Sequence, residues 1–514
     1  MLIGYVSDQQ HVAIPAVDVA IESAGRRWDT SSRADGAIIV DCPPGEYQLT
    51  FNRDGFGGKR VKVELAEGQP HQFRLLPDGL IGYMWPKWVR TGGASEYRVH
   101  SSEAFRLDLY RYGWEKQLVR QLGWCDEHGP GAMRQVAPDE DFTQTGMQWN
   151  KLGHTVEFQK HRVEAPAEGG LYFLHASTMS GRFFSFPWIV SPAEPCSEIA
   201  VLTSNISWNA YNNYGGRSNY FNQDGLREKP LVYSRQEIER YTAPGLWPYE
   251  VTSAPLSFER PEIPNSVPEQ AEITDSIAGR MQSAFAPGEW RLIGWLEREG
   301  FQHDLYSETE LHFGTLPLEQ YRVLVLNTHP EYWSVEMYRR VKDWVQNEGG
   351  KLLYLAGCGL YAEVEFLDQS TMVCRQEGRA DLRGESEAQL LGVAYSHDGF
   401  QSAAPYRVLD GEHWVFDGLG LSTGSLFGEQ SLHERCPGGA SGHELDKISE
   451  DSPAGLVQLA KGTNGDESGA DMVLYETASG GAVFSVGSLC WTLSIAVDEG
   501  VSGVTANVLR RFLD

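Results

Sequence analysis

The 514-residue chain reads as a multidomain protein, two β-sandwich-like units followed by a doubly wound α/β domain. Three observations predict this. Short alternating strands between turn residues fill the first part of the chain. From Glu198 onward, apolar strands alternate with helix-like stretches. Ser191-Pro192-Ala193-Glu194-Pro195, just before that change, has the composition of a linker. The units are placed at residues 1–78, 79–193 and 198–514.

In the first unit the strand candidates are 2–6, 17–22, 37–40, 46–51, 60–65 and 72–76. Asp35-Gly36, Pro43-Pro44-Gly45 and Asp54-Gly55 separate them. Gly4-Tyr5-Val6, then Asp35-Gly36, then Pro44-Gly45-Glu46-Tyr47 resembles the carboxypeptidase-regulatory-like module. No catalytic cluster stands out, so a packing or interface role is expected. The second unit has candidates at 81–85, 96–100, 105–112, 154–159, 170–176 and 182–190. Lys116 to Gly153 reads as mostly loop, with Asp139-Glu140-Asp141 as a solvated surface run.

The third unit opens with the buried strand 199–204. An irregular stretch, 205–275, follows, long enough to be expected to form functional structure. An amphipathic helix is predicted over 287–300, then strands near 303–306 and at 322–326. A helix over 334–348 and a strand over 351–357 come next. Strands 473–476 and 482–488 and a helix near 502–513 close the chain. Sites in such sheets lie at the carboxyl edge of the parallel strands.

The net charge of −27 leaves no basic field for nucleic acid or an anionic membrane surface. It fits a small neutral or cationic substrate, and equally plain solubility. No apolar run reaches the ~18 residues a membrane helix needs. Met1 leads directly into a strand without a basic leader. Seven scattered cysteines with no Cys-x-x-Cys suggest reduced thiols and a cytoplasmic protein.

Several segments bear chemistry. Asn327-Thr328-His329-Pro330-Glu331-Tyr332-Trp333 follows strand 322–326 and gathers His, Glu and Tyr, which bind metals or move protons. Its plain alternative is a helix entry with a hydrogen-bonded histidine. Trp208, Asn209, Tyr211 and Tyr214 follow the first strand and suit a pocket lining, or an ordered loop held by Asn turns. Gly357-Cys358-Gly359 resembles the nucleophile elbow of glutamine-amidotransferase-like enzymes, which would place the domain in that flavodoxin-like class. A crowded turn needing a small residue is the better explanation. Ser441-Gly442-His443-Glu444 offers Glu444 as a general base, or is a charged loop. Gly487-Ser488-Leu489-Cys490-Trp491 ends a late strand, where core packing is expected.

These fragments, in this order, resemble the large subunit of N,N-dimethylformamidase and its relatives, mainly over 198–514. His329-Pro330-Glu331-Tyr332-Trp333 is the most specific of them. The resemblance implies a mononuclear Fe(III) centre held by two tyrosinates and a carboxylate, hydrolysing the C–N bond of a small amide or formamide. Carried over, Tyr211 and Glu331 are ligands, His329 lies behind them and Glu444 is the catalytic carboxylate. The second tyrosine is Tyr249 or Tyr241, with Glu262 as a substitute. Trp208, Asn209, Tyr214, Trp333 and Cys358 would contact substrate, with Cys358 standing where the family's pattern has Asn. The resemblance allows a small partner subunit, and the β units offer surface for a homo-oligomer. Two alternatives stand beside it: a thiol hydrolase using Cys358 and His329, and a non-catalytic binding protein with a decayed site.

Overall fold

The computed structural model describes residues 1–125, 134–149, 161–232 and 253–514. At the amino terminus, Leu2–Ser7 pairs antiparallel with Ala37–Ile39 and parallel with His71–Arg74. A second sheet runs Arg26–Ser31, Asp18–Ser23, Gly45–Asn52, Lys59–Leu65, all antiparallel. Along Gly45–Asn52, Tyr47, Leu49 and Phe51 alternate inward, the period of two that a half-buried strand requires. They meet Ile3, Val6 and Phe73 in one core. Gly36 has φ 78°, and a Cβ there would lie 2.5 Å from Val6 O, so the turn needs glycine.

The next two sheets enclose another core around Leu107, Leu174 and Trp188. One holds Arg162–Glu164, Ala94–Ser101 and Leu80–Trp85. The other runs Lys116–Cys125, Phe105–Tyr112, Gly170–Thr178, Phe183–Ser191, Trp88–Arg90. Two expectations change here. Lys116–Cys125 is a ten-residue strand on Phe105–Tyr112 rather than loop; none of it is fully buried, and exposed Gln117, Arg120 and Gln121 mix with exposed Leu118, Val119 and Trp124, so no alternation marked it. The acidic run is not simply solvated. Asp139 pairs with the buried Lys59, and Asp141 with Arg217 at 3.1 Å, so it ties separate parts of the chain together. The strand expected at 154–159 lies outside the described residues.

The largest sheet has nine strands. Asp304–Ser307, Ile199–Thr203, Val323–Thr328, Lys351–Ala356 and Ala482–Ser485 are parallel neighbours in that order. Asp471–Glu476, Val457–Gly462, Tyr406–Val408 and Leu426–Phe427 extend it antiparallel. The parallel strands are almost wholly buried, which is why they read as unbroken apolar runs. The short edge strands lack such runs and were not foreseen. Across the described residues, sheet dominates and helices are few.

Helix Val335–Asn347 starts at Ser334, whose hydroxyl accepts from Met337 N, and buries Met337, Tyr338, Val341, Trp344 and Val345. That is one face at helical spacing, each such side chain worth about 1.5–3 kcal/mol of burial. Helix Ala286–Arg298 departs from the amphipathic expectation, being buried on every side from Ala286 to Leu296. The second β unit covers its outer face: Trp290 Nε1 donates to Gly113 O at 2.7 Å, and Glu297 pairs with Arg111 at 2.9 Å. Glu499–Leu513 forms the last helix, with Val504, Val508, Leu509 and Phe512 inward. No described helix is long and apolar enough to cross a membrane.

Candidate active site

Because strands Ile199–Thr203, Val323–Thr328 and Lys351–Ala356 are parallel and adjacent, their following loops meet at one edge. Strand Val323–Thr328 ends with Thr328 at φ 58°, a backbone costly for a β-branched residue, and turns His329 and Glu331 into the interior. Helix Asn205–Tyr211 follows the first strand and delivers Tyr211 from its last turn. Gly215 and Gly216, at φ 110° and 88°, reverse the chain and bring back Tyr220. The amino-terminal unit braces that reversal, since Arg74 donates to Gly215 O at 2.8 Å and Gly215 N to Gln9 O at 2.8 Å.

Glu331 is the hub. Tyr211 Oη donates to Glu331 Oε2 at 2.6 Å, and Tyr220 Oη to Glu331 Oε1 at 2.8 Å. The two phenol rings stack with centroids 4.4 Å apart. Tyr332 Oη lies 2.7 Å from Tyr220 Oη and 3.1 Å from Glu377 Oε1. His329 Nε2 stands 2.7 Å from Glu444 Oε2 and 3.5 Å from Glu331 Oε2. Ligand atoms of His329, Cys358 and Glu444 fall within 4.8 Å of one another.

Burial pushes the Glu331 carboxyl up to about 7; His329 opposes the shift, while Glu377 and Glu444 add to it. Burial, then Glu331, drives the Tyr220 and Tyr332 phenols well above their usual value. The Cys358 thiol is likewise held protonated, by burial and then by Glu331 and Glu444. Acids thus crowd a buried site around one imidazole. A trivalent cation would favour their ionised forms, and phenol and carboxylate oxygens are the hard donors such an ion takes. The donor set therefore fits a ferric ion.

Opposite Glu331, the turn after Lys351–Ala356 supports Glu444. A Cβ on Gly357 would lie 2.5 Å from Glu444 O and 2.6 Å from Leu489 N, so only glycine lets the turn pack there. Cys358 follows at φ 55°, with its amide donating to Asp446 Oδ1 at 2.9 Å. Tyr354 Oη donates to Asp446 Oδ2 at 2.6 Å and accepts from Gly359 N at 2.6 Å. Ser488 joins in, receiving Gly442 N at 2.8 Å and donating to Ala440 O at 2.7 Å, a structural tie rather than plain packing.

The structure thus brings together Tyr211, His329, Glu331, Cys358 and Glu444. Four other candidates point elsewhere. Trp208 Nε1 donates to Glu289 at 2.9 Å, and Trp333 Nε1 to Glu308 at 2.7 Å. Asn209 Oδ1 receives Arg260 at 2.8 Å. Tyr214 packs with Phe142, Tyr83 and Trp149 in a separate cluster. Glu262 is paired with Lys87 at 2.5 Å and Asn265 at 2.7 Å, a closed set away from Glu331. Tyr241 and Tyr249 lie outside the described residues. Tyr220 went unnoticed in the sequence; its signal was a second tyrosine just beyond the Gly215-Gly216 reversal. A cavity of about 860 Å³ lies elsewhere, lined by Arg111, Glu168, Glu297 and Asp304 among others, and shares no residue with this cluster.

The N,N-dimethylformamidase beta subunit of Alcaligenes sp is 26% identical over 289 residues, covering 44% of this chain and 37% of that protein. Its counterpart from Paracoccus aminophilus is 27% identical over 289 residues, with the same coverage. The match spans little more than a third of the length of these curated relatives. Among solved structures, the Bacillus anthracis TIE protein aligns with 38% of this chain and 34% of its own at 12% identity. Its TM-score of 0.13 is too low to bear on the fold. Residues 106–504 match the family described as N,N-dimethylformamidase beta subunit-like, C-terminal, and the chain belongs to that family.

Proposed function

We propose that the chain is an iron-dependent hydrolase of a small neutral amide or formamide, adding water across the C–N bond to give a carboxylate and an amine. The observation that carries this reading is the Glu331 hub, where two tyrosine hydroxyls meet one carboxylate beside the His329–Glu444 pair. Tyr211, Glu331 and a second tyrosine would hold the ion. By resemblance that tyrosine is Tyr249 or Tyr241; by contact it is Tyr220. When bound, Fe(III) supplies Lewis acidity toward the amide carbonyl and toward water. Glu444 takes a proton from water and passes it to the leaving amine, and His329, 2.7 Å away, orients that carboxylate. Tyr361 and Tyr395, with ring centroids 4.7 Å apart and both partly exposed, are the proposed mouth in place of Trp208, Tyr214 and Trp333.

The reading extends to the parallel strands as the heart of a doubly wound, glutamine-amidotransferase-like domain, and to the division at 1–78, 79–193 and 198–514. Cytoplasmic residence and a homo-oligomer belong to it too. A small partner subunit draws support from the beta-subunit name of the relatives. The thiol alternative has the left-handed Cys358 in its favour and the protonated state of that thiol against it. Amine release from small amides by the iron-loaded protein is the test. Glu444→Gln should lose at least ~100-fold in kcat, the range for a general base. Unchanged turnover in that variant would remove Glu444 from the reaction.

A further inference from the structure

A second group of metal-ligand side chains lies beside the first and shares none of its residues. His433, Cys436 and His443 are all buried, and one ligand atom from each lies within 4.8 Å of the others. His433 Nε2 and His443 Nδ1 face each other at 2.5 Å. The Cys436 thiol points at Gln401 O, 3.5 Å away. His443 lies between strands Ser441–Gly442 and Leu445–Lys447, while His433 and Cys436 sit in the preceding segment, Gly428 to Ala440, which contains neither helix nor strand. That segment is held by an isolated bridge between Ile277 and His433.

We propose that His433, Cys436 and His443 form a second metal site, for a borderline-soft divalent cation of the Zn²⁺ class, that staples this loop and sets Glu444. The donor chemistry separates the two sites. Two imidazoles and a thiol suit Zn²⁺, whereas the oxygen donors around Glu331 suit a hard ion. His433 and Cys436 lie on one loop and His443 just beyond the strand that follows it, a short chain spacing that structural zinc ligands commonly show. Tetrahedral binding at about 2.0–2.1 Å places the two nitrogens about 3.3 Å apart. The rings would therefore part by about 0.8 Å from the observed 2.5 Å.

Binding releases the Cys436 thiol proton to solvent, and the proton on the facing imidazole nitrogens moves to a far ring nitrogen. If that is His433 Nδ1, the contact given up is a long one, 3.4 Å from Cys436 N. Gln401 O or a water completes the shell. The Gln401 carbonyl is held in place, since its residue sits at φ 63° and its amide donates to His443 O at 2.8 Å. His443, at φ 66°, is followed directly by Glu444, so a cation here fixes the backbone that aims the Glu444 carboxylate at His329. That last consequence rests on the proposed hydrolase reading; metal binding itself does not.

The test uses the full chain, stripped with chelator and titrated with Co²⁺. The wild type should take up a Co²⁺ ion that shows a thiolate-to-cobalt charge-transfer band. Cys436→Ser should lose that band and bind at least ~10-fold more weakly, while Glu331→Gln and Cys358→Ala keep it. No thiolate band in the wild type, or a band that survives Cys436→Ser, overturns the proposal. Should Cys436→Ser fail to fold by circular dichroism, zinc-edge X-ray absorption of the Cys358→Ala protein decides. A sulfur scatterer with nitrogen neighbours supports the site, and a shell without sulfur refutes it. Neither readout involves turnover, so failure of the amide reading leaves this result standing.

Discussion

Glu289 anchors the helix that presents Tyr211, and its ionisation can be isolated. Its Oε1 accepts from Ser204 N and Trp208 Nε1, both at 2.9 Å. Burial nevertheless raises the carboxyl from 4.5 to about 8, outweighing the hydrogen bonds from Ser204 and Trp208 that pull it down. The folded state therefore holds a proton that the unfolded chain releases near pH 4.5. Stability from this group is complete below about pH 4.5 and is lost as pH rises through about 8. Between those limits it falls by about 1.4 kcal/mol per pH unit, roughly 3 kcal/mol from pH 5 to pH 7.5. Glu289→Gln keeps the carbonyl acceptor and cannot ionise. Its new amide hydrogens impose an offset of about 1–3 kcal/mol if unsatisfied, but that offset does not vary with pH. Urea unfolding of both iron-free proteins across this range lets titrations cancel on subtraction, apart from that of the buried Glu308, whose carboxyl burial and then Glu289 push up. The variant should gain about 3 kcal/mol on the wild type between pH 5 and pH 7.5. A difference constant within ~0.5 kcal/mol, or one of opposite slope, would show that Glu289 is ionised in the fold and refute the reasoning.

Two further outcomes follow from the Gly357 turn. Cys358→Ala should retain substantial amide turnover, because the thiol is held protonated; complete loss with iron still bound would favour a thiol nucleophile. Gly357→Ala drives a methyl to within 2.5 Å of Glu444 O and should cost at least ~2 kcal/mol in unfolding free energy, with a fall in kcat exceeding any rise in KM. Wild-type stability and turnover in that variant would mean the turn does not position Glu444.

The parallel strands and the His329-to-Trp333 cluster were legible because buried strands carry unbroken apolar runs that stop where the polar loop begins. The same logic fails for Lys116–Cys125, which is largely exposed and mixes polar and apolar residues without alternation, and for the short edge strands near 406 and 426. Trp208 and Trp333 look like pocket walls in one dimension. In the fold their indole N–H groups turn inward to Glu289 and Glu308, partners at distant chain positions. Helix spacing could not reveal this, because partner choice depends on how the Asn205–Tyr211 helix docks. Tyr220 was hidden for a related reason. Its approach to Glu331 depends on a reversal at Gly215-Gly216 that Arg74 and Gln9 of the amino-terminal unit hold in place. A unit that reads as serving packing or an interface thus shapes the site.

Metal content and the visible spectrum of the purified protein, measured together, test the central claim most directly. The account predicts about one iron per chain and a broad tyrosinate-to-iron band, lost or strongly weakened in Tyr211→Phe. Tyr220→Phe and Tyr249→Phe then show which second tyrosine contributes to that band. Folded protein made with ample iron that holds none, or that holds iron without the band, would contradict the tyrosinate centre.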